Sequence, residues 1–98
     1  MKVNFNQSFR NYKGEKSEQV IKDTVCQCLY NAGEGFTPEE KYKAYLLVTR
    51  ISAAKKEVDL MAEDITLIKR ICEKPLTAGG YGQIVELMEG GNQDASKE

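Results

Sequence analysis

The chain's 98 residues are 41% hydrophobic and 30% charged, which describes one globular domain, too short to hold two independent cores. Its 14 Lys+Arg against 15 Asp+Glu give a net charge of −1, so no whole-molecule field draws in nucleic acid or anionic lipid. The absence of histidine removes the commonest general base and any Ser-His or Cys-His nucleophile pair, so the expectation is a non-enzymatic protein with no cofactor and no metal.

The first segment, "KVNFNQSF", alternates Val3 and Phe5 with polar neighbours and predicts a short half-buried strand. "NYKGE" then supplies a turn at Gly14. No h-region of a signal peptide precedes this segment, and no apolar run approaches the ~18 residues of a membrane span, so the expected location is cytoplasmic, away from any membrane. From Ser17 the period changes. Val20, Ile21, Thr24, Val25, Cys28 and Leu29 recur at helical spacing, with Ser17 as the N-cap and "NAGEG" as the stop. Cys26 and Tyr30 lie off this stripe, one turn apart. The odd number of cysteines, Cys26, Cys28 and Cys72, argues for reduced thiols, and the spacing of "CQC" points its two side chains apart on a helix.

"TPEE" is the clearest local signal in the chain: Thr37 caps, Pro38 suits the first helical position, and Glu40 completes a capping box. The second helix is expected to run to about Lys55. Within it, "KYKAYLLVTRIS" has two apolar faces. Ala44, Leu47, Val48 and Ile51 fall on one side, and Tyr42, Tyr45, Leu46, Thr49 and Ala53 fall nearly opposite. In a two-layer domain this helix is the natural one to be sandwiched, which would bury the second face inside the chain. The other reading makes Tyr42, Tyr45, Leu46 and Thr49 a contact surface for a protein partner or a second copy, since Tyr is enriched at interfaces. A further alternative uses Lys41, Lys43 and Arg50, beside the tyrosines, to bind nucleic acid by stacking and phosphate contact. Against it, Glu39 and Glu40 adjoin the first lysines, and Lys41 and Lys43 point in different directions.

"EVDL" sets Val58 and Leu60 on one side of an extended segment that could pair with the N-terminal strand. A third helix follows, with a stripe of Met61, Ile65, Ile68 and Cys72. Glu63 and Asp64 sit at its start and Arg70 and Lys74 near its end, a charge polarity that complements the helix dipole. "PLTAGGYGQIVELMEGG" reads as a loop and a short fourth helix, with Tyr81, Ile84, Val85 and Met88 on one face and Gly90 and Gly91 ending it. "GGYG" has the G-x-x-G spacing of a backbone clamp, but no Lys or Arg lies within four residues of it and no Gly-Lys-Ser/Thr ending follows. A single domain over 1–91 is expected, with 92–98 a mobile polar tail, in an α+β, mainly α fold of about four short helices and a two-stranded β ribbon.

"VNFNQSF", "YKGE" and above all "EVDLMAEDITLIKRICEKPLTAGGYGQIVELMEG" resemble small uncharacterised proteins of tailed-phage and prophage genomes. The shared pattern is an N-terminal hairpin, a helix, a segment of the type Val-x-Leu-x-x-Glu-Asp-x-x-x-Ile-Lys and an ending Gly-Gln-hydrophobic-x-Glu-Leu. The chain departs from it at Met61, where Thr or Ser often caps the third helix, and in the glycine-rich "AGGYG", which leaves the start of the fourth helix open. The resemblance implies no catalytic residues. It implies a small phage or prophage protein that works by protein–protein binding, on itself, a phage component or a host factor that it modulates.

Overall fold

The computed structural model describes residues 1–89. The fold is α+β and mainly α: β1 (Lys2–Asn4), β2 (Ser8–Arg10), β3 (Lys16–Val20), α1 (Ile21–Tyr30), α2 (Pro38–Ala53), β4 (Glu57–Asp59), α3 (Ala62–Cys72) and α4 (Ala78–Met88). The expected pairing of "EVDL" with the N-terminus is present, since β1 and β4 run antiparallel with Val3 opposite Val58. A second ribbon adds to the one expected from the sequence. The first segment breaks at residues 5–7, and its continuation, β2, pairs antiparallel with β3 through the turn at Gly14, whose φ of +86° is one glycine adopts freely.

The start of α1 differs from the expectation. Ser17 lies within β3, and the helix begins at Ile21 after the extended Val20, which has no side-chain cap. The physical reason is that the N-terminal chain supplies the cap instead: Gln7 C=O accepts from Ile21 N–H at 2.8 Å and Phe5 C=O from Lys22 N–H at 2.9 Å. α2 follows its sequence signals closely. Thr37 Oγ1 accepts from Glu40 N–H at 3.1 Å while Glu40 Oε1 accepts from Thr37 N–H at 3.0 Å, which closes the capping box. Its far end is tied by side chains from elsewhere: Lys22 Nζ donates to Ala54 O at 2.8 Å, and Asn6 Nδ2 to Lys55 O at 2.7 Å.

The core joins Val3, Phe5 and Phe9 of the N-terminal segment to Val25 and Leu29 of α1, Leu47 and Ile51 of α2, Ile68 and Cys72 of α3, and Ile84 and Met88 of α4. The α3 stripe is wider than expected and shifted, because Leu67 and Ile71 join it while Met61 is 66% exposed. Met61 is the N-cap, where the backbone is extended and helical spacing no longer sets the direction of the side chain. Met61 makes no side-chain cap hydrogen bond, and Asp64 Oδ2 accepts from the Met61 N–H at 2.9 Å, the half of a capping box that the third helical residue supplies. α4 begins at Ala78, with Thr77 capping through Gly80 N–H at 3.3 Å, so Gly79, Gly80 and Gly82 lie inside the helix. Of its expected face, Ile84 and Met88 are buried and Tyr81 and Val85 half-buried. The glycine stop and the polar tail, 90–98, lie outside the described residues.

Candidate functional site

The two faces of α2 separate cleanly. Ala44, Leu47 and Ile51 are buried, while Tyr42, Tyr45 and Leu46 are 62%, 52% and 42% exposed and Thr49 and Ala53 are exposed too. The expectation of a sandwiched helix is therefore corrected. α1 and α3 pack against the inner side of α2, whereas α4, the only other helix among the described residues, packs on α3 and β1 and leaves the outer side of α2 uncovered.

On that outer side the rings of Tyr42 and Tyr45, three residues apart on the helix, stack with centroids 6.5 Å apart and planes 17° from parallel. Two hydroxyls along the stripe, those of Thr49 and Ser52, are turned back onto the helix: Thr49 Oγ1 donates to Leu46 O at 2.7 Å and Ser52 Oγ to Thr49 O at 3.4 Å. That occupies the two hydroxyls within the helix, so the C-terminal half of the stripe, Thr49 to Ala53, is more apolar than its composition suggests. The arrangement can bury aromatic and aliphatic surface against another molecule. Among the described residues it offers no acid–base pair.

The basic residues of the alternative reading do not converge. Lys43 Nζ lies 4.0 Å from Glu63 and Arg50 Nη1 3.7 Å from Asp64, both on α3, and the Arg50 guanidinium also reaches Asp59 O. Arg70 of α3 pairs with Glu40 in the same seam, and its guanidinium lies over the Phe36 ring, 5.2 Å from the centroid. These ion pairs lace α2 to α3 and place carboxylates beside the cations that would meet phosphate. Lys41 stands on another side of the helix, exposed.

The three cysteines are free. Burial pushes the Cys26 and Cys28 thiols up, with Lys22 partly offsetting the rise at Cys26 and the adjoining Cys72 thiol doing so at Cys28. Cys72 is buried, and desolvation raises its thiol furthest. Among the described residues no group of three or more His, Cys, Asp or Glu side chains could hold a metal ion, and no helix is long and apolar enough to cross a membrane. A cleft of about 560 Å³ opens between the end of α1 and the α3–α4 connection, lined by Cys28, Asn31, Phe36, Ile71, Lys74 and Leu76. Cys28 and Lys74 are its only titratable lining groups, and the first is a half-buried neutral thiol, so no general base stands in it.

Sequence reasoning overlooked Gln83. Its side-chain amide clamps the backbone of β2, accepting from Arg10 N–H and donating to Arg10 O, both at 2.8 Å. No short-range pattern announces a contact between residues so far apart in sequence. No protein-family model, curated protein or solved structure matches this chain.

Proposed function

We propose that this chain is a small, non-enzymatic protein of phage or prophage type that works in the cytoplasm by binding a protein through the outer face of α2, with Tyr42, Tyr45, Leu46 and Thr49 as the contact residues. The observation that carries the reading is the stacked tyrosine pair beside Leu46 on an uncovered helix face. Two rings already held against one another lose little freedom when a partner covers them, and Tyr is the residue type that most often anchors such contacts. Nucleic acid is the weaker reading, because Lys43 and Arg50 are engaged by the carboxylates of α3.

The test is co-purification of the tagged chain from its own host, with wild type, Leu46→Asp and Lys41→Ala/Lys43→Ala as parallel baits and mass spectrometry as the readout. A partner retained by the lysine variant and lost by Leu46→Asp supports the reading. Recovery of nuclease-sensitive material that depends on the lysines, and not on Leu46, would transfer the function to nucleic acid.

A further inference from the structure

We infer that Cys28 of α1 and Cys72 of α3 form a site of reversible oxidative modification, at which hydrogen peroxide converts the two thiols into a disulfide that ties α1 to α3 beside the cleft. The inference is independent of the α2 face.

Helix packing brings the two cysteines together. α1 lies against α3, Cys28 packs on the core, and Cys72, the last residue of α3, is part of it. Their thiols adjoin and share a hydrogen bond. Access differs between them. Cys72 is buried, whereas Cys28 is half-buried and lines the cleft of about 560 Å³ together with Phe36 and Ile71. A small oxidant entering that cleft therefore meets Cys28 and not Cys72. Cys26 stands outside the pair, because residues two apart on a helix point about 200° away from each other, and its charged neighbours are Lys22 and Asp23.

The same contact divides the roles. Burial raises both thiols, but the hydrogen bond from Cys72 partly offsets the rise at Cys28, while a Cys28 thiolate raises Cys72 further. Cys28 is thus the thiol that ionises first and attacks, and Cys72 keeps its proton until the second step. The Cys28 thiolate attacks one oxygen of the peroxide; the O–O bond breaks, an S–O bond forms, and the leaving oxygen takes up protons and departs as water, which leaves a sulfenic acid. The Cys72 sulfur then gives up its proton and attacks Cys28 Sγ; the S–O bond breaks, the S–S bond forms, and the hydroxyl departs as a second water. Two thiols lose two electrons, and one peroxide is reduced to two waters. An external thiol reverses the bond by exchange. Because thiolate is scarce at both sulfurs, the reaction is slow and answers sustained rather than brief exposure. The bond closes a loop that contains α2 and β4, so it restricts the unfolded chain and stabilises the fold.

The test exposes the reduced full chain, freed of reductant, to hydrogen peroxide, blocks the remaining thiols with an alkylating reagent in denaturant, and reads intact mass and a non-reduced digest. The expected product has lost two hydrogen atoms, keeps a single alkylatable thiol at Cys26, and yields a peptide cross-linked through Cys28 and Cys72, all reversed by dithiothreitol. Its urea midpoint lies above that of the reduced chain. Cys26→Ser leaves the cross-link unchanged, and Cys28→Ser leaves Cys72 unoxidised. Cys72→Ala removes the resolving thiol, so Cys28 gains oxygen as sulfinic acid instead. A native wild type that keeps three thiols through an exposure that oxidises the same chain in urea overturns the site, as does a disulfide made through Cys26 or between chains. A bond between Cys28 and Cys72 that lowers the urea midpoint also overturns it, since the fold then does not hold the pair in bonding position. The wild-type digest decides without any variant, so the test stands even where Cys72→Ala fails to fold.

Discussion

Cys72 is buried in the core with its thiol beside that of Cys28 on α1, and burial holds it protonated well above the ordinary range. The unfolded chain releases that proton near pH 8.5, so above this value the unfolded state binds fewer protons than the folded one and is favoured. The contribution is therefore fully present below about pH 8.5 and declines as pH rises, and Cys26 and Cys28, also raised, act in the same sense. The urea midpoint is expected to fall between pH 8 and pH 10, and less steeply in Cys72→Ala; an equal slope in that variant would remove Cys72 as the cause. All three thiols should titrate after denaturation without reductant, with Cys72 the slowest to react in the native state. At the acid side Glu40 has the opposite sign. Its carboxyl is held below the usual range by the Thr37 N–H and then by Arg70, so its contribution is present above the unfolded value near pH 4.3 and lost as pH falls. Glu40→Gln should flatten the acid limb of a stability–pH profile. Cys72 and Glu40 were legible in the sequence, one from its spacing behind Ile68 and the other from the capping box, because both signals are local. Met61 was not, since an apolar residue at an N-cap obeys neither helical nor strand periodicity.

The elements divide by the same criterion. α2 was legible to within two residues because Thr37, Pro38 and Glu40 fix its start within one turn. α1 was not, because its first N–H groups bond to Phe5 and Gln7, and a cap drawn from a distant backbone leaves Ser17 free to join a strand. The second ribbon escaped for a related reason: β3 is nearly all exposed, and without one buried face no alternation marks a strand. α4 starts earlier than its glycines suggest, on the strength of Thr77. Those glycines give an element-scale prediction. An added Cβ at Gly79 or Gly82 meets nothing within 4 Å, and neither has the positive φ that would forbid a side chain. Gly82→Ala should stabilise by about 0.5 to 1 kcal/mol and Gly79→Ala, nearer the helix end, by less. Urea denaturation measures both, and a loss of stability on Gly82→Ala would mean that the helix start is wrong. Gln83→Ala should cost about 1 kcal/mol and speed hydrogen exchange at Arg10 N–H, since the clamp on β2 contributes two ordinary hydrogen bonds at an exposed site. Unchanged exchange there would show that β2 holds without it.

For the molecule as a whole, what the sequence left open was the surroundings of α2, and periodicity could not close the question, because two apolar stripes on one helix look alike whether they meet the same chain or another. Only the positions of the other helices distinguish them. With α1 and α3 on the inner side and α4 placed beyond α3, the same helix carries residues whose truncation should have opposite consequences. Ile51 is 1% exposed, and Ile51→Ala should cost about 2 to 5 kcal/mol of folding stability through the cavity it leaves. Tyr45 is 52% exposed and its ring rests on Tyr42, so Tyr45→Ala should cost no more than about 1 kcal/mol of folding while weakening association by about 1 to 4 kcal/mol, the range of an interface anchor. The pair of variants is measured by urea denaturation beside recovery of the partner by co-purification. A folding cost near that of Ile51→Ala would return the tyrosine face to the interior and require the partner to dock elsewhere. Folding and association both unchanged would leave the tyrosines as ordinary surface residues, and the search for a binding face would move to the cleft beside Phe36.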